Sequence, residues 1–301
     1  MTLRKLRKAI QHLVLDSEDD KIGYKLKTTV FLGQISREIR KLDTAVLDQI
    51  QLECHHIKVE AFSPHKESTD KPLFFRPMST SELAAHPLDY SKPSVPEFID
   101  KFHRLVEKPH WPVEYRSEES IRRAFAGEFA YYIDAFFSAK RVDVKNNLKR
   151  AARWYERQTH GVLFSDSFFI HGDNIANCRF EEVWEHWEDG DWPHVMIKLF
   201  HTVDADDRLL RGEVRCILEA MRYRLTLPKL KDHCIIPVQV ISIAHKHGRI
   251  LQAHWNGQDV IIRQSPLYDL NTTDMAIYDT FVRYMANKPI GDTVSIPRAT
   301  V

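Results

Sequence analysis

No charge of one sign dominates this chain: 43 lysines and arginines face 42 aspartates and glutamates over 301 residues. Strong nucleic-acid binders draw most of their affinity from phosphate neutralisation and carry a basic excess, so only a local basic face remains open here. Cysteine is scarce. Cys54, Cys178, Cys216 and Cys234 are widely spaced and form no CxxC pair, which fits a reducing compartment better than a disulfide framework. No apolar run approaches the ~18 residues that span a bilayer. The N-terminus, MTLRKLRKAIQHLVLDSEDD, is charged at the front but lacks a long apolar h-region or a small-residue cleavage site. The expected setting is the cytoplasm or the nucleus, away from membranes. There is no G-x-S-x-G elbow, Walker A loop, G-x-G-x-x-G fingerprint or kinase motif set, which points away from nucleotide hydrolysis and dinucleotide redox work.

What is present is an ordinary globular composition, 43% apolar and 28% charged, enough for one large domain or a domain with a helical appendage. Residues 1–60 read as an N-terminal helical segment without proline. Leu3, Leu6, Ile10 and Leu13 recur at helical spacing, and Phe31, Ile35, Ile39, Leu42, Val46 and Ile50 repeat the pattern. Such a stripe either docks on the rest of the chain or serves a protein partner or homodimer. Residues 61–96 hold Pro64, Pro72, Pro77, Pro87, Pro93 and Pro96 and read as a connector, because each proline removes a donor and biases its predecessor against helix. Residues 97–301 form the α/β domain.

Within that domain the spacing predicts a helix over 118–138, with Ser117 as N-cap and Glu118 and Glu119 complementing the dipole. A second helix is expected with Val144, Leu148, Ala152 and Tyr155 inward. Lys145, Lys149, Arg150 and Arg153 then form an outward basic face, a candidate nucleic-acid contact or a solvated surface. Short apolar runs at 167–170 and 195–200 read as strands, and 207–227 as a helix. Strands follow over 235–243, 249–255 and 260–264, the last two joined by an Asn256-Gly257 turn with both central residues at φ > 0. A helix over 274–286 closes the chain. The fold class is α+β: N-terminal helices, then a mixed β-sheet flanked by helices.

Two resemblances attach to these residues. Gly212-Glu213-Val214, Ile236-Pro237-Val238, His247-Gly248-Arg249-Ile250-Leu251-Gln252-Ala253, Asn256-Gly257, Ser265-Pro266-Leu267-Tyr268-Asp269 and Pro289-Ile290-Gly291-Asp292-Thr293 look like a family of uncharacterised fungal proteins, over Arg211 to Thr293. The element order also resembles the C-terminal part of fungal PD-(D/E)XK nuclease-like domains. That resemblance implies a leading helix, a strand with an Asp, a strand with acidic-x-Lys, then a helix and strand, with the two acids holding Mg²⁺. It would place Glu128 on the leading helix, Asp173 at the end of a 167–173 strand and Lys198 on the 195–200 strand. Position 196 is Met, not an acid, so Asp166, Glu181, Glu182 or Glu185 would have to substitute. The implied protein is degenerate, binding more than cleaving.

Other candidate chemistry lies at strand ends. His171-Gly172-Asp173-Asn174 offers a base or ligand, or simply an Asx turn. His201-Thr202-Val203-Asp204-Ala205-Asp206-Asp207 offers acids that complete a cleft with it, as in a small-molecule enzyme, or merely cap the following helix. His245, His247 and His254 are a weaker zinc candidate, and Cys54-His55-His56 reads as a helix end.

Overall fold

The computed structural model describes residues 21–64, 74–108, 117–157, 178–187 and 191–297. In chain order its elements begin with α1 (Lys21–Ile39), α2 (Gln49–Cys54), β1 (Ile57–Ala61), β2 (Phe75–Arg76), α3 (Thr80–Ala84), α4 (Ser94–Glu107) and α5 (Glu118–Ser138). They continue with α6 (Leu148–Ala151), β3 (Trp154–Arg157), β4 (Cys178–His186), β5 (Val195–His201) and α7 (Arg211–Arg224). Last come β6 (Val238–Ala244), β7 (His247–Trp255), β8 (Val260–Gln264), β9 (Tyr268–Asp269), α8 (Met275–Met285) and β10 (Lys288–Pro289). This is the expected α+β class, with N-terminal helices and a large mixed sheet flanked by helices.

Among the described residues the sheet has eight strands, in the order β1-β8-β7-β6-β5-β4-β3, with β9 added beside β7. Strands β3, β4 and β5 form an antiparallel meander. Helix α7 then carries the chain across to β6, which lies parallel to β5. Because side chains alternate across a strand, β5 divides its residues between two cores. Val195, Ile197 and Leu199 pack with Leu32 and Ile35 of α1 and Val214 and Ile217 of α7. Met196 packs on the opposite face with Phe129 and Ile133 of α5, Phe102 of α4 and Phe281 of α8. Covering both faces is what lets the parallel pair sit in the middle of the sheet.

Helix α5 forms as its sequence dictates: the Ser117 side chain accepts the Ser120 N–H, and Phe125, Phe129, Ile133 and Phe136 turn inward. The Cys54-His55-His56 segment is the helix end it resembled, with His55 as C-cap. The helix read through Phe31 to Ile50 stops at Ile39. Beyond it Thr44 Oγ1 donates to the Val46 carbonyl at 2.8 Å, and Asp48 and Gln51 cap each other to start α2 afresh. Short polar side chains here compete with the helix ladder. Residues 57–61, expected helical, form β1 after a turn at His56 with φ 57°, and pair in parallel with β8. The boundary drawn at residue 60 thus falls inside a strand of the main sheet.

The helix expected over 144–155 shrinks to α6. Asn147 caps it, Arg153 at φ 57° turns the chain, and Trp154–Arg157 becomes an edge strand. Tyr155, expected inward, is exposed. Nor do the acids of 204–207 cap α7, because the Leu210 N–H is taken by Glu213 Oε2 from inside the helix at 2.7 Å. The hairpin at Asn256-Gly257 is present, but not as the expected turn with both central residues at φ > 0, since Asn256 is not in the positive-φ region. Its loop runs from Asn256 to Asp259, with Gly257 at φ 94° and Asn256 Oδ1 accepting the N–H groups of Gln258 and Asp259. Among the described residues no helix is long and apolar enough to cross a membrane.

Candidate functional site

Register brings the site together. In the β4–β5 ladder Glu182 lies opposite Lys198 and Trp184 opposite Met196, after a β-bulge between Phe180 and Glu182 resets the pairing. Glu182, Trp184, Met196 and Lys198 therefore share the face beneath α5. The Lys198 side chain is only 1% exposed, and its Nζ lies 3.4 Å from Glu182 Oε2. It also donates to the Ala130 carbonyl of α5 at 3.3 Å. A buried ammonium needs such partners, since removing it from water without them is prohibitive.

A second lysine completes the group. Lys149 of α6 reaches Asp134 of α5 and Glu156 of β3, each at 3.7 Å. The two ammonium groups approach the Trp184 ring at 5.3 Å (Lys149) and 5.7 Å (Lys198), both within cation–π range. Burial pushes the Glu182 carboxyl up from its ordinary value; Lys198 and Lys149 oppose this, and Asp134 and Glu156 add to it. The result is a network of two cations, three carboxylates and an indole that runs from the buried Lys198 out to the exposed Glu156. Lys149, read as part of an outward basic face, belongs to this network. Lys145, Arg150 and Arg153 stay exposed.

Met196 occupies the place of the expected acid. It is fully buried, and Gln239 Nε2 lies 3.2 Å from its sulfur while donating to the Tyr284 carbonyl at 2.8 Å. Gln252 Nε2 in turn donates to Gln239 Oε1 at 3.0 Å. Magnesium takes hard oxygen ligands in near-octahedral geometry. Among the described residues the lysine-held Glu182 carboxylate, beside a thioether at 196, does not suit it. Among the described residues no three His, Cys, Asp or Glu side chains are grouped to hold a metal.

The other expected residues are placed as follows. Asp166, His171 and Asp173 lie outside the described residues. Glu128 sits on the exposed side of α5, two residues from Ala130 and so on the other face of the helix. The acid that does reach the cluster is Asp134, one turn beyond Ala130, which sequence reasoning missed. Its signal was there: position 134 continues the face of Ala126, Ala130 and Ile133, whereas 128 does not. Glu182 had been only one substitute among several. The i, i+2 match of Glu182 and Trp184 with Met196 and Lys198 was its only cue.

The two acids Asp204 and Asp206 of the 201–207 segment are already engaged by basic side chains, while the buried Thr202 hydroxyl finds no partner among the described residues. Asp204 accepts from His245 at 2.9 Å and pairs with Arg122 at 3.1 Å, while Asp206 holds Arg208. His245, His247 and His254 do not converge. His245 is in a turn, and His254 is buried against Phe74, where burial and then Arg263 lower its pKa to about 4. On the α7 side, two further ion pairs are structural. Arg249 bonds both oxygens of fully buried Glu213 at 2.8 and 2.6 Å, and Arg224 bonds Glu185. Burial works to raise the Glu213 carboxyl, but Arg249 outweighs it and the net shift is downward. Compared with protein-family models, curated proteins and solved structures, the chain gives no match in any of the three.

Proposed function

We propose that this chain is a degenerate PD-(D/E)XK nuclease-like domain that binds nucleic acid without cleaving it. The observation that carries this reading is Lys198 facing Glu182 across adjacent strands beneath α5, with Met196 two residues before the lysine. The succession α5, α6, β3, β4, β5, α7, β6 supports it: a leading helix, a short helical turn, an antiparallel meander, a crossover helix and a parallel strand. An acid at 196 and an accessible Lys198 would be needed to hold Mg²⁺ and steer an attacking water. Here the lysine neutralises a buried carboxylate instead.

The binding surface in this reading is the exposed Lys145, Arg150 and Arg153. Beside them Trp187 is 62% and Tyr155 44% exposed, with ring centroids 6.0 Å apart. The Trp187 N–H donates to the Arg153 carbonyl at 2.9 Å, which locks the aromatic pair next to the basic residues. Cations along a backbone with flat rings for bases suit single strands. A labelled single-stranded oligonucleotide, followed by anisotropy, should bind at low salt and lose at least about tenfold in affinity in the Lys145→Glu, Arg150→Glu, Arg153→Glu variant. No strand scission should appear with Mg²⁺ or Mn²⁺. Cleavage that survives Lys198→Ala would overturn the site, and equal binding by the variant would overturn the surface.

A second reading rests on α1, where Ile22 (80% exposed), Leu26 (65%) and Val30 lie four residues apart on one face. A single apolar stripe can pair with its own copy about a two-fold axis, so this reading makes the chain a homodimer. Light scattering should then show a dimer that Leu26→Glu converts to a monomer. A wild-type monomer would rule it out.

A further inference from the structure

A cavity of about 400 Å³ lies between α3, the 87–90 segment and α8, away from the lysine cluster. That is within the usual size of small-molecule sites. Leu83, Leu88 and Met275 supply an apolar wall, and Arg141, Asp279 and Arg283 also line the space. The three charged groups are unequally satisfied. Arg141 is only 6% exposed; it donates to the His86 carbonyl at 2.9 Å and the Phe136 carbonyl at 3.5 Å. Its Nε–H has no acceptor among the described residues. Arg283 gives its Nε–H to the Met78 carbonyl at 2.8 Å. Asp279 is half-buried and makes no hydrogen bond or ion pair with the described residues.

A desolvated guanidinium and a desolvated carboxylate around one space, close enough to influence each other yet not joined, are costly to maintain. Direct pairing would be the cheaper arrangement for folding alone. A ligand that presents an anion to the arginines and a cation to the aspartate satisfies all three groups, and its apolar part meets the leucines and methionine.

We propose that this cavity binds a small apolar zwitterion of amino-acid or dipeptide size, with its carboxylate on Arg141 and Arg283 and its ammonium on Asp279. The proposal is independent of the nuclease-like reading, and its test involves no nucleic acid. Calorimetry on the full chain with leucine, methionine, phenylalanine and leucyl-leucine should show saturable binding by at least one. N-acetyl-leucine lacks the ammonium and leucine amide lacks the carboxylate, so for leucine each should bind at least about tenfold more weakly, as expected for a lost hydrogen bond to a charged group. Asp279→Asn should weaken binding to a similar degree. Ala84→Trp, at an exposed position on the cavity wall, should abolish it by filling the space while leaving the circular dichroism unchanged. No saturable binding by any of the four zwitterions would overturn the proposal. So would equal binding of the two leucine derivatives, or retention of affinity in Ala84→Trp.

Discussion

Replacing Lys198 by Met would test the buried network most directly, because the methionine keeps the length of the stem and removes only the charge. The lysine is 1% exposed and its partner Glu182 20% exposed at the side chain. Removing one member of a buried pair costs about 3–5 kcal/mol, and the residual exposure of Glu182 puts the expectation near 3 kcal/mol at neutral pH. The sign with pH follows from Glu182. Burial already raises its folded-state pKa, and losing the lysine that opposes this raises it further. A group whose pKa is raised on folding leaves stability intact below its unfolded pKa and costs stability as pH rises through the folded value. Urea denaturation of Lys198→Met should therefore show a loss that is small near pH 4 and grows towards pH 8. The double variant Glu182→Gln, Lys198→Met should recover most of that loss, since neutralising both partners removes the uncompensated charge. A loss independent of pH, or a double variant no better than the single one, would refute the coupling described here.

Glu185 should behave in the opposite sense. Burial works to raise its pKa, but Arg224 and Lys229 override this and hold it at about 2, from an ordinary 4.5. That shift corresponds to roughly 3 kcal/mol of stability, present above pH 4.5 and lost as pH falls towards 2. Acid titration of Glu185→Gln should lack this limb, and an unchanged acid transition would count against the pair. Gly212→Ala should destabilise by about 1–3 kcal/mol, because the new Cβ would sit 2.7 Å from Cys178 Cβ and 3.0 Å from His201 Cε1. Denaturant melts read this directly, and a neutral result would mean that α7 can shift away from β4 and β5.

Much of the architecture was legible because its causes are local. Helix α5 announces itself through Ser117 and an unbroken inward face, and β5 through an apolar run interrupted only by Lys198. The Asn256-Gly257 hairpin follows from Gly257, which supplies the positive φ. The candidate site was less legible. Lys198 was marked out by the nuclease-like resemblance, but its partner depended on the bulge at Phe180/Glu182, one extra residue that shifts which acid stands opposite. Asp134 rather than Glu128 meets the cluster for the same kind of reason. A helix rotates by about 100° per residue, so a choice between two acids six positions apart needs to know which turn lies over the sheet.

By itself, then, the sequence determined the balanced charge, the helical and strand periods, the caps and the α+β class, since composition and spacing over a few residues encode them. Only the tertiary structure decided that Ile57–Ala61 is a strand, because its parallel partner β8 lies far along the chain and no local pattern outweighs the helix-like spacing before it. It also decided that Lys149 turns from the basic face to a half-buried place against Asp134 and that Lys198 is buried beside Glu182. Arg141 and Asp279 likewise come to share one cavity only through packing. Long-range pairing and desolvation make those choices, and they act on residues the chain brings together only when it folds.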